Sequence, residues 1–335
     1  METVFGPNDS WAGVFVKRGN DMVVIDVNEA GLVHRSVDRL FITHPHTDHC
    51  HFHALSHVGR VHATREALEF LDRVARGRID VPPRDRLLPV RRREPVGDLE
   101  VTPIPVFHNS VGCAGYYVEC PDITVLVTGD WCGGDGETVD RLAEYEPDVI
   151  ICDGTICTDG TLPDSVELLT HRLEMIRERH GENVIIYTNH QAAPVLEAVS
   201  RVFGEFHCFT DDPIVGTCRL LGVKYRKYEG EGGPIVTSFT KRYEEGVEAV
   251  AYELLSKPTV PTDVPNYQIS RSFHPPSPDI KLLIDQANPR LLIVHHANRR
   301  RLKAFQKHIS ETVECRAWPK EVNNNMKLAV RASEL

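Results

Sequence analysis

Nowhere does the sequence hold the roughly 20 uninterrupted apolar residues that a membrane-spanning helix needs, so a helical membrane protein is excluded and no membrane partner is expected. The nine cysteines are an odd, scattered set with no Cys-x-x-Cys pair. That argues against a thiolate zinc site or a disulfide-stapled scaffold and predicts free thiols packed as small apolar groups. Internal repeats and low-complexity tracts are absent. So is an excess of positive charge: 38 basic against 48 acidic residues leave a net charge of −10, which gives no global attraction to a phosphate backbone. Any nucleic-acid contact must come from local patches, for which Arg91-Arg92-Arg93 and Arg299-Arg300-Arg301 with Lys303 are the two candidates. The opening Met-Glu-Thr-Val-Phe-Gly-Pro lacks the basic start and apolar stretch of a secretory signal, so a cytoplasmic location is expected.

What the chain does have is length, an ordinary 41% of hydrophobic residues, and short apolar runs that end on reactive side chains. At 335 residues it predicts two domains, or one core with a large insertion. Met22 to Ile25 runs into Asp26, Leu40 to Thr43 into His44, Thr124 to Val127 into Thr128-Gly129-Asp130, Val149 to Cys152 into Asp153, and Leu291 to Val294 into His295. Strands that deliver polar groups from their C-terminal ends are the layout of an α/β active site. Thr64 is read as the N-cap of a helix stopped by Gly77, and Ser277-Pro278-Asp279 as the start of another.

Between residues 158 and 266 no ligand-type cluster occurs, although helix and strand signals continue. Asp164 and Glu167 predict a capping box for a helix burying Val166, Leu169, Leu173 and Ile176 and closing at Gly181. Val184 to Tyr187 reads as a strand, Val195 to Val202 as part of a helix, and 257–265 as a return connection. The expected organisation is a catalytic domain over 1–157 and 267–335, with 158–266 inserted as a cap.

The densest chemical signal is His44-Pro45-His46-Thr47-Asp48-His49. Imidazoles and carboxylates this close together after a strand suit two zinc ions, whose borderline-soft character accepts both nitrogen and oxygen. Six consecutive positions hold too few side chains to close two sites, so further ligands must come from distant strand ends; His108 and Asp130 are the candidates by order and context.

This series, a strand-end Asp, H-x-H-x-D-H, a later His, a later Asp and a final strand-end His, resembles the metallo-β-lactamase superfamily. The resemblance implies an α/β fold of four layers, αββα, and two Zn2+ ions. It places one ion on His44, His46 and His108 and the other on Asp48, His49 and His295, with Asp130 bridging and Asp26 orienting ligands. Asp153, the Ser272-Phe273-His274 triplet and His295 further resemble the β-CASP branch of nucleases, whose core carries an inserted α/β cap. Two departures stand out: Tyr187-Thr188-Asn189-His190 replaces the usual small-residue turn, and His295 is followed by His296 rather than Gly, which makes His296 an alternative last ligand.

On this reading the chain is a zinc-dependent hydrolase of phosphodiester bonds, with RNA favoured over single-stranded DNA. Asp48, His274 and Asp153 act in catalysis, His274 as proton donor held by Asp153. His190, Ser272, Arg299 and Arg300 are substrate contacts. The competing readings are a small-molecule metallo-hydrolase (lactonase, thioesterase or phosphodiesterase) and a non-enzymatic metal-binding scaffold. Oligomeric state is left open, a homodimer included.

Overall fold

A computed structural model describes residues 1–7, 13–27, 37, 39–51, 55, 58–75, 81–156, 164–230, 232–240, 244, 246–253, 258, 264–270, 272–296, 299–309, 313–317 and 329–335. The chain divides into two compact units: Met1–His108, Gly112–Leu162 and His274–Leu335 form the first, and Asn109–Val111 with Pro163–Phe273 the second.

The first unit contains two seven-stranded mixed sheets, each part antiparallel and part parallel. In one, Val330–Arg331, Thr3–Pro7, Val14–Arg18 and Asp21–Ile25 pair antiparallel; from Asp21–Ile25 onward Arg39–Phe41, Arg60–Ala63 and Leu87–Pro89 follow in parallel. In the other, Glu94–Val96, Leu99–Pro105, Ala114–Glu119 and Thr124–Val127 pair antiparallel, and Val149–Asp153, Leu291–His295 and Glu314–Ala317 extend it in parallel. Strand alternation explains the layering. Val149, Ile151, Leu291 and Ile293 join Phe5, Val16, Ile25 and Phe41 in the core between the sheets. Their neighbours Ile150, Cys152, Leu292 and Val294 face the other way, onto Leu142, Leu283, Leu302 and Phe305 of the helices Thr138–Ala143, Ser277–Ala287 and Arg299–Ile309. The helix Arg65–Phe70 covers strands of the first sheet, which completes the αββα order. Because adjacent parallel strands run in one direction, the residues that follow them gather at one edge.

The second unit is built on six parallel strands in the order Tyr225–Lys227, Phe206–Cys208, Ile235–Thr237, Val184–Tyr187, Ala249–Glu253, Asn266–Ser270. Its limits differ from the expected 158–266. Asn266–Ser270 pairs with Ala249–Glu253 and so belongs to this sheet, and Asn109–Val111 joins the unit by hydrogen bonding: Asn109 Nδ2 donates to Glu253 Oε1 (2.6 Å) and Ser110 Oγ to Gln191 Oε1 (2.9 Å).

Helix ends are largely as the sequence reads. Thr64 Oγ1 accepts from Ala67 N, and Gly181 closes Val166–His180 with φ 68°. The N-cap of that helix is Ser165, whose Oγ accepts from Leu168 N, rather than Asp164. Asp164 is unavailable because its carboxylate takes the Ser272 amide and the Arg172 guanidinium. Gly77 and most of 257–265 lie outside the described residues. No helix among the described residues is long and apolar enough to cross a membrane.

Candidate metal centre

Asp26 follows the strand Asp21–Ile25 in a left-handed conformation, φ 56°. A non-glycine residue in that region costs about 1–2 kcal/mol, and here the turn carries the carboxylate across to the next strand end. Its oxygens accept from Thr43 N (2.7 Å) and Thr43 Oγ1 (2.6 Å), and one lies 2.8 Å from His49 Nδ1. That contact fixes the His49 tautomer with Nδ1 protonated, so Nε2 offers a lone pair inward. Nε2 is buried and makes no hydrogen bond, although Asp130 Oδ1 stands 3.2 Å away. Burial raises the Asp26 carboxyl above its ordinary range even against the nearby His49.

Three other rings turn nitrogen toward nitrogen. His44 Nε2 lies 2.9 Å from His46 Nδ1, which lies 3.3 Å from His108 Nε2. Such spacing is what donors on one tetrahedral ion at about 2.1 Å present. Thr43 Oγ1, 3.0 Å from His44 Nδ1, orients that ring from behind. Burial and the neighbouring rings keep two of these histidines neutral: His44 is held well below the usual imidazole range, and His46 is pushed down to about 3. Neutral imidazole is the ligating form.

Asp130 sits between the clusters. The Thr128-Gly129-Asp130 turn needs glycine at its centre, where φ is +61° and a Cβ would stand 2.8 Å from Thr43 Cβ. Asp130 Oδ1 faces His49 Nε2 (3.2 Å) and His296 Nδ1 (3.1 Å), while Oδ2 faces His274 Nδ1 (3.5 Å) and His108 Nε2 (3.8 Å). Burial alone would raise its pKa, yet His296, His49 and His274 hold it well below the carboxylate range.

The strand Leu291–His295 and the residue after it carry both of the expected alternatives for the final ligand. His295 is the final ligand that the resemblance implies, but it is His296 whose Nε2 reaches Asp48 Oδ2 (3.4 Å) and whose Nδ1 reaches Asp130. His296 adopts φ 65°, a left-handed turn that breaks the strand alternation and swings its ring in. His295 remains on its strand opposite Asp153, and burial pushes its imidazole down to about 4. Four groups of convergent donors result: His44, His46 and His108; His44, His49 and Asp130; Asp48, His49 and His296; and Asp130, Asp153, His274 and His296. The buried, unbonded His49 Nε2 and the nitrogen-to-nitrogen arrangement of His44, His46 and His108 fit divalent cations of the kind nitrogen and carboxylate donors hold.

Asp153 and His274 stand against this centre, with Asp153 Oδ2 2.7 Å from His274 Nδ1. Asp153 Oδ1 accepts from Thr155 N and Thr155 Oγ1, and the same hydroxyl lies 3.0 Å from His296 Nδ1. Burial lowers the basicity of His274, but Asp153 and Asp130 outweigh it and raise its pKa. Sequence reasoning misses Thr43 and Thr155; their only signal is adjacency, one residue before His44 and two after Asp153.

Ser272 and His190 belong to the second unit, where Ser272 N donates to Asp164 and the His190 carbonyl accepts from Thr217 Oγ1. Arg300 is exposed on the helix Arg299–Ile309, and the side chain of Arg299 lies outside what is described.

Comparison with known proteins agrees with this architecture. Over 99% of this chain and 100% of the other, the fold is similar to that of a protein of unknown function from Enterococcus faecalis, with 12% identity and a TM-score of 0.72. A looser likeness, TM-score 0.49 at 10% identity over 99% of this chain and 100% of the other, is to the metallo-beta-lactamase fold protein YhfI from Bacillus subtilis. A family match covers residues 26–175, the stretch that carries Asp26, the His44 to His49 cluster, His108, Asp130 and Asp153. Residues 26–175 are thus similar to a beta-lactamase superfamily domain, over the stretch that supplies most of the clustered His and Asp side chains.

Proposed function

We propose that the chain is a zinc-dependent phosphodiesterase of the β-CASP type that cleaves single-stranded nucleic acid, RNA in preference to DNA. The observation that carries this reading is the His274–Asp153 pair, 2.7 Å between Nδ1 and Oδ2, within the donor group that also holds Asp130 and His296. His44, His46 and His108 would hold one ion, Asp48, His49 and His296 the other, and Asp130 would be shared between them. Ions in that position supply Lewis acidity at a phosphoryl oxygen and water acidic enough to attack at neutral pH.

The residues of the chain do the rest. Asp26 and Thr43 fix the rings of His49 and His44. Asp153 keeps His274 protonated with Nδ1 occupied, so the proton on Nε2 is the one delivered to the departing oxygen, which would otherwise leave as an alkoxide. An acid of raised pKa is most useful where the leaving group is poor, as the ribose oxygen of a phosphodiester is. Thr155 braces Asp153 from its other oxygen. Asp48 is only partly buried, with its Oδ2 3.4 Å from His296 Nε2.

The test is cleavage of end-labelled single-stranded RNA and DNA by the wild type and His274→Ala, with zinc measured on both. Cleavage that falls about 10²–10⁴-fold in the variant, with zinc retained, is the expected result. A zinc-loaded wild type that cuts neither polymer overturns the reading in favour of a small-molecule hydrolase such as a lactonase or thioesterase, which the net charge of −10 suits.

A further inference from the structure

The two basic runs meet different fates. In the first, Arg93 pairs with Glu100 and with Glu119 (2.7 Å), and Arg91 stands 3.7 Å from Glu94, so its charge is largely cancelled on the sheet. The second opens the helix Arg299–Ile309, which has no acidic residue at all. Leu302, Phe305 and Ile309 are buried at spacings of three and four, and Arg300, Lys303 and Lys307 repeat the same spacing on the exposed side. Arg300 and Lys303 pair with no acidic group among the described residues. Placing cations in the first turn opposes the helix dipole, so this helix gains nothing in stability from its charge in a chain that is otherwise acidic.

Its position is specific. Arg301 Nη1 donates to the Thr155 carbonyl (2.6 Å), and Thr155 is the residue that braces Asp153 and touches His296. The basic row therefore starts beside the metal centre and runs away from it along the helix, at 1.5 Å per residue about 10 Å from Arg300 to Lys307. That length spans two or three consecutive phosphates. An anionic membrane is the poorer occupant, because the apolar face such a helix would insert is already committed to the core.

Resting on the phosphodiesterase reading, we infer that the exposed face of Arg299–Ile309, through Arg300, Lys303 and Lys307, is the track that holds the phosphate backbone of single-stranded RNA next to the scissile bond. Lysine and arginine on an exposed face bind phosphate by charge, without reading bases, so the track is indifferent to sequence.

The experiment compares binding of a fluorescein-labelled oligouridylate between 50 and 200 mM salt by the zinc-loaded protein with and without Arg300→Glu, Lys303→Glu and Lys307→Glu. Both carry His274→Ala so that the RNA survives. Three lost phosphate contacts should reduce the slope of log affinity against log salt by about 2 and weaken binding at the low-salt end at least roughly tenfold, with the thermal unfolding midpoint unmoved. An unchanged slope overturns the track even if the wild type cleaves RNA. Binding to phosphatidylserine vesicles or oligothymidylate in place of RNA overturns the choice of partner. A wild type that cleaves no RNA while the slope shifts as expected removes the phosphodiesterase reading and leaves the track standing.

Discussion

Asp130 in the first unit and Asp212 in the second are both carboxylates just beyond a strand end, each with 3% of its surface exposed. Asp212 accepts four hydrogen bonds: from Thr237 Oγ1 (2.6 Å), Ser238 N (2.8 Å), Ser238 Oγ (2.5 Å) and Ile214 N (3.0 Å). Asp130 also faces four groups, all of them imidazoles, at 3.1 to 3.8 Å. The first arrangement is self-sufficient. Hydroxyl and amide donors have no alternative charge state, so the loop they hold has one form. The second is built of groups that ligate and titrate, the donor types that suit a divalent cation. Two equally buried acids thus differ in what their neighbours can do, and that difference separates structural from chemical burial better than exposure does.

The sharpest way to break the comparison is Asp130→Ala. Zinc content, measured by elemental analysis, should fall at least tenfold, and the first unit should lose about 3–5 kcal/mol, as expected when one member of a buried charged cluster is removed. Retention of the bound metal would show that Asp130 is not shared between the clusters. Asp212→Ala should act on the second unit alone: four donors lose their acceptor, a cost of about 2–4 kcal/mol, seen as faster hydrogen exchange in Val184–Tyr187 and Ile235–Thr237 with zinc unchanged. Loss of zinc would mean the networks are not separate.

The smallest effect concerns Glu253, which stands between the two types. It is 3% exposed and accepts from Thr188 Oγ1, Asn189 N and Asn109 Nδ2, yet burial raises its pKa above the ordinary 4.5. A raised folded-state pKa means that the native protein binds this proton more tightly than the unfolded chain does. The associated stability is complete below about pH 4.5 and is lost as pH climbs through the folded value. Relative to Glu253→Gln, which keeps the shape without the titration, exchange protection of the second unit should decline upward from that pH, by about 1.4 kcal/mol for every pH unit separating the folded and unfolded values. Parallel pH profiles for the two proteins would show that the three donors fully offset the burial.

Much of this was legible in the sequence, for identifiable reasons. Strands such as Val149–Asp153 and Leu291–His295 are continuous apolar runs ending on a polar residue, a pattern that survives any packing detail. The clustering of His44 to His49 is likewise a property of composition at short range. What escaped depended on conformation or on distant partners. Regular alternation cannot say that His296 turns left-handed and so displaces His295. Asp164 and Ser165 are equally good caps by type, and the choice fell to Ser165 only because Ser272 and Arg172 claim Asp164. Asn266–Ser270 carries two buried residues in five, too few to announce a strand, and Asn109–Val111 is too short for any periodicity.

The first and last strands of the chain are neighbours: Val4 pairs with Arg331, Phe5 with Val330, and Glu2 reaches the Ser333 amide. In engineering terms, a short flexible linker could join Leu335 to Met1, and new ends could be opened near residue 163. The permuted chain would then read the second unit first and the two separated parts of the first unit as one uninterrupted stretch, apart from the Asn109–Val111 tripeptide. An insertion would become a leading segment, removable by ordinary truncation, and the contribution of each unit to substrate choice could be measured on one polypeptide.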